Sequence, residues 1–62
     1  MNLIDVSVEE ILIPPHKVIT YELCCWEVTI IANCYGVLGE KVIQKVSKKE
    51  IDYYKPGFTW ME

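Results

Sequence analysis

Apolar and polar residues alternate along most of this chain, and the places where the alternation breaks define its elements. From Leu3 to Ile13 the period is two: Ile4, Val6 and Val8 interleave with Asp5, Ser7 and Glu9, as in a half-buried strand. The phase slips at Glu10, because Ile11 and Ile13 take the other parity. A β-bulge at Glu9-Glu10 repairs the slip, with a helical turn capped by Ser7 as its competitor. Pro14-Pro15 is expected to end the element, since neither residue can donate to a ladder.

A long β-rich stretch follows, from Lys17 to Tyr35. In its first half Ile19, Tyr21, Leu23 and Cys25 share a face; in its second half Val28, Ile30, Ala32 and Cys34 do. The phase changes near Cys24-Cys25-Trp26, which predicts a strongly bent strand or two strands meeting at a bulge. Gly36-Val37-Leu38-Gly39 supplies a reversal with two glycines free to take positive φ. Glu40 to Val46 then reads as a strand pairing back as a hairpin. Ser47-Lys48-Lys49-Glu50 is a capping box, and it predicts about two helical turns over Lys48–Tyr54 with Ile51 and Tyr54 inward. Lys55-Pro56-Gly57 suits a type II turn. Phe58–Met61 is the last strand, with Phe58 and Trp60 on one face.

This order predicts a mainly β chain forming one domain over residues 1–62. The expected fold is a small SH3-like (or OB-like) antiparallel barrel with one short helix before the last strand. A chain of 62 residues has a thin core, and 52% of these residues are hydrophobic. Part of that apolar surface is therefore expected outside, where it marks a contact with another chain.

Charge narrows the choice of partner. The formal net charge is −3, and the basic residues are all lysines. Nucleic-acid readout relies heavily on arginine forks, so the acidic, arginine-free composition favours a basic protein partner, or a partner that itself normally binds nucleic acid. The alternative is a nucleic-acid-binding barrel, using the strip Lys41, Lys45, Lys48 and Lys49 around Tyr53 and Tyr54. No run is long and apolar enough to cross a membrane, and the N-terminal segment lacks the pattern of a signal peptide. The expected location is the cytoplasm, with reduced cysteines.

Catalytic and metal chemistry find little support. Adjacent Cys24 and Cys25 on a strand point to opposite faces, and no C-x2-C knuckle joins them to Cys34 or His16. Cys25 and Cys34 read as small core hydrophobes, with Cys24 outward as a free thiol. His16 lies in a Pro-flanked segment with no triad partner, and no phosphate-binding glycine loop is present. We therefore expect no enzyme, no metal and no cofactor. The aromatic residues carry more information, because a core this small cannot bury seven large rings. Trp26 and Tyr53 are the expected anchors of a contact surface. Tyr35 and Ile31, outward by parity, extend it, and Glu27 meets a basic rim. The competing role for these rings is to cap the ends of the barrel.

The stretches W-E-V-T-I-I-A-N-C-Y-G and V-S-K-K-E-I-D-Y-Y-K-P-G-F-T-W, with I-L-I-P-P-H-K upstream, resemble small proteins of tailed bacteriophages and prophages. Cys25 stands where those proteins often carry a second aromatic. The resemblance implies a phage origin, an SH3-like barrel, and an accessory factor that binds and disables or redirects a host protein. It supplies no catalytic residue. A homodimer using the same patch and a component acting in assembly alone are compatible outcomes.

Overall fold

The computed structural model describes residues 4–20 and 23–62, and only the backbone of Thr20, Leu23 and Cys24. Four strands and one helical turn follow in the order β1 (Asp5–Thr20), β2 (Leu23–Cys34), β3 (Val37–Lys45), α1 (Lys48–Ile51) and β4 (Thr59–Met61). All strand pairs are antiparallel, in a single sheet of order β3-β2-β1-β4. The sheet is not closed. Its edges, β3 and β4, do not pair among the described residues, so the expected mainly β, antiparallel chain with one short helix is present, without the closure of a barrel.

The longest departure from the sequence reading lies in β1, which runs on through Pro14-Pro15 instead of stopping there. Register shifts fall between Val8 and Glu10, Ile11 and Ile13, and Ile13 and His16. The prolines occupy the last of these, where the ladder to β2 is already interrupted and no donor is required. The first shift is the bulge expected at Glu9-Glu10, which also excludes the competing helical turn. Each extra residue bends the strand and increases its twist.

The stretch from Lys17 to Tyr35, expected as one bent strand or two strands meeting at a bulge, divides between two strands, the end of β1 and the whole of β2. Thr20, the last residue of β1, pairs antiparallel with Leu23, the first of β2. The phase change read at Cys24–Trp26 reflects the passage from β1 to its antiparallel neighbour β2. From Trp26 to Cys34, β2 keeps one parity throughout. The expectations placed on Tyr21 and on the Cys24 side chain lie outside the described residues. Cys25 is corrected from core to half-exposed, because it shares the parity of Glu27 and not that of Val28.

At the other end of β2 the turn is tighter than expected. Tyr35 (φ 52°) and Gly36 (φ 81°) form a two-residue reversal, and β3 starts at Val37 rather than Glu40. Two consecutive positive φ values give the twist that a two-residue hairpin needs. Asn33 Oδ1 accepts the Gly36 N–H at 2.7 Å and helps hold the reversal. Gly39 is not needed for the turn and lies within β3.

The concave face of the sheet carries the core: Val6 and Val8 from β1, Val28, Ile30 and Ala32 from β2, and Ile43 from β3. One turn of helix closes it. Ser47 caps that turn, accepting from Glu50 N at 3.3 Å, and Ile51 is fully buried. The helix is shorter than the expected Lys48–Tyr54, yet Tyr54 is buried as expected. Its ring meets Phe58 and Trp60 edge-on, each at 5.1 Å between centroids, a favoured aromatic geometry. Gly57 (φ 95°) and the Phe58 N–H to Lys55 O bond of 2.9 Å form the expected turn. Lys41 and Glu62 span the open seam with a 2.8 Å ion pair.

Candidate functional site

Strand register fixes which side chains share the convex face. Ile13, Thr29 and Val42 stand in one row across β1, β2 and β3; Glu10, Ile31 and Glu40 form the next row, and Ser7, Asn33 and Leu38 the one beyond. On the other side lies the row His16, Glu27 and Gln44. Thr29 is only 4% exposed although it points away from the core, while Ile13 is 49% and Val42 53% exposed. The flanking side chains thus shield the threonine and present their own apolar surface outward. A shallow depression beside them is lined by Glu9, Glu10, Ile31, Leu38 and Gly39.

Charge is segregated between the two faces. The convex face bears Glu9, Glu10, Glu27 and Glu40 but no lysine. Lys17, Lys41 and Lys45 have the concave parity, and Lys48, Lys49 and Lys55 lie on or after the helix. Two of the acids are held in place: Glu9 Oε1 accepts from Asn33 Nδ2 at 3.0 Å, and Glu27 Oε1 from Gln44 Nε2 at 2.8 Å. His16 Nε2 lies 3.5 Å from Glu27 Oε2, and the other ring nitrogen is 2.9 Å from the Pro14 carbonyl oxygen. An apolar centre with a rim of carboxylates is the usual anatomy of a protein-contact surface.

The residues singled out from the sequence do not form one site. Ile31 and Glu27 belong to this convex face. Tyr35 is 75% exposed at the hairpin tip. Trp26 has concave parity and packs half-buried against the core, so it is not an exposed anchor. Tyr53 is exposed beside α1, its ring stacked on Phe58 at 6.2 Å. Sequence reasoning missed Ile13, Leu38, Val42, Glu10 and Glu40. The signal was present, because continuing the parity of Thr29 and Ile31 through a two-residue turn selects Leu38, Glu40 and Val42.

The lysine strip also separates. Lys41 is engaged by Glu62, and Lys49 is exposed on α1. Lys17, Trp26 and Lys45 share a row on the concave side. The ammonium groups of Lys17 and Lys48 lie 5.8 and 5.9 Å from the Trp26 ring centre, and that of Lys45 lies 5.8 Å from Tyr54. Among the described residues, no group of three or more His, Cys, Asp or Glu is placed to hold a metal ion. Among the described residues, no helix is long and apolar enough to cross a membrane.

Fold and surface together define a small, open, curled antiparallel sheet with an acidic, apolar convex face. No protein-family model matches the chain, and neither a curated protein nor a solved structure matches it.

Proposed function

We propose that this chain is a non-catalytic protein-binding module that engages a basic, partly apolar surface on another protein through its convex face. The observation that carries the reading is the segregation of that face: Ile13, Ile31, Leu38 and Val42 framed by four glutamates, with every lysine elsewhere. Binding would act by occlusion, with desolvation of the apolar row supplying affinity and the carboxylates selecting a basic rim. The resemblance to small phage proteins extends the proposal to a host protein in the bacterial cytoplasm. On the same ground we read the curled sheet as an open variant of the SH3-like barrel.

Capture from nuclease-treated bacterial lysate tests this directly. The expected result is one stoichiometric protein retained at moderate salt by the parent chain and lost with Ile31→Lys. Retention by Ile31→Lys would refute the assignment of the face.

A second reading has its own observation, the row of Lys17, Trp26 and Lys45 with Lys48 beside it. Cations around an indole suit a single strand of nucleic acid, whose bases stack and whose phosphates pair. That reading expects capture to be lost to nuclease, to weaken steeply with salt, and to fail in Lys17→Glu.

A further inference from the structure

The three free edges of the sheet differ in how they are guarded. The stretch of β1 beyond its pairing with β4 carries Pro14-Pro15, which removes two donors. Strand β4 is three residues long. Strand β3 has nine residues, no proline and no neighbour on its outer side among the described residues. Edge strands of this length are normally blunted, because their unpaired N–H and C=O groups template another strand. Two lysines of β3 could serve that purpose, yet neither extends past the edge. Lys41 turns across the seam to Glu62, and Lys45 lies over Tyr54.

From these features we infer that β3 pairs antiparallel with β3 of a second copy, centred on Val42, making one eight-stranded sheet across a two-fold axis. The hydrogen-bond phase comes from the hairpin. Cys34 and Val37 flank a two-residue turn and exchange both their bonds, so Leu38, Glu40, Val42 and Gln44 aim theirs away from β2.

A two-fold axis normal to the sheet allows only registers that pair these outward residues with one another, and charge together with the length of strand paired chooses among them. Centring on Glu40 sets Glu40 against its own copy, and centring on Lys41 does the same for Lys41; like charges directly opposite are unfavourable. Centring on Ile43 sets Lys41 against Lys45, and centring on Gly39 or Gln44 avoids like pairs but overlaps only a short part of β3. Centring on Val42 pairs most of the strand, sets Val42 against Val42 and Glu40 against Gln44, and has no like pair. The row Ile13–Thr29–Val42 then continues into the partner's Val42–Thr29–Ile13. The two convex faces would become one acidic, apolar surface, able to offer two equivalent sites to a symmetric target.

Light scattering over a concentration series, with circular dichroism to check folding, tests the pairing. The expected mass is about 14 kDa, twice the 7.2 kDa of the chain, following a C2 assembly. Val42→Lys, which sets two ammonium groups across the axis, should give a folded monomer. Gln44→Lys faces Glu40 of the other copy twice and should lower the dimer dissociation constant about fivefold. Adding Glu40→Lys should reverse that gain. A parent chain that is monomeric at every concentration would overturn the inference. So would a dimer that survives Val42→Lys, or one indifferent to the Glu40 and Gln44 changes. These readouts concern self-association alone, so their failure leaves the partner reading to its own capture experiment.

Discussion

Tyr35 holds a backbone conformation that its side chain does not favour. A non-glycine residue at φ 52° sits in the left-handed region, which costs roughly 1–2 kcal/mol for most L residues and less for asparagine. Its ring is three-quarters exposed and gains little from the core. Tyr35→Asn should therefore raise stability by about 0.5–1 kcal/mol, seen as a higher urea midpoint with an unchanged slope. If the same change weakens partner capture, the strained tyrosine contributes to the contact as well as to the turn. The residue scale is also where the sequence was read most securely. Ile51 and Tyr54 turned inward because a capped turn sets residues three apart on one side. Phe58 and Trp60 shared a face because a strand alternates. Both rules act within a few residues and need no knowledge of the rest of the chain.

Elements were harder to read, for reasons visible at two places. At Pro14-Pro15 the local rule says that a strand must stop. A register shift lets it continue, and that shift is set by the partner strand rather than by the prolines. Between β1 and β2 the sequence carries neither glycine nor proline, so only the change of parity marked the boundary, and a bend explains that change equally well. The convex face was half legible for the same reason: Ile31 and Glu27 follow from β2 alone, whereas Ile13 and Val42 require the register on either side. The element that depends most on distant packing is α1, a single turn too short to persist without its buried residue. Ile51→Ala should cost about 2–5 kcal/mol, a large share of the stability of so small a domain. Ile51→Val should cost about 0.5–1.5 kcal/mol and leave a folded protein for comparison by thermal melting.

Across the whole molecule, the open sheet is tied at its seam by a charge pair rather than by a ladder. Hydrogen bonds from Lys41 and then from Trp60 Nε1 hold the Glu62 carboxyl below the usual value of 4.5, with the Lys41 charge acting the same way. A carboxylate whose folded value is depressed contributes stability that is fully present above its unfolded value. That contribution is lost as pH falls through the lower folded value. Both side chains are more than a third exposed, so solvent screening limits the effect to the surface range of about 0–1 kcal/mol. Glu62→Gln should thus be slightly less stable than the parent chain at pH 7 and equal to it near pH 2, in paired denaturant titrations. A gap that widens in acid would contradict the role given to the pair.

On the proposed function, the partner meets the convex face and not the lysine–tryptophan row behind it. Methyl and indole resonances of the isotope-labelled chain, followed while the captured protein is titrated in, separate the two most directly. The methyl signals of Ile13, Ile31, Leu38 and Val42 are expected to shift or broaden first, with the Trp26 indole unmoved. Perturbation centred on the Trp26 indole, with those methyl groups unchanged, would contradict that reading.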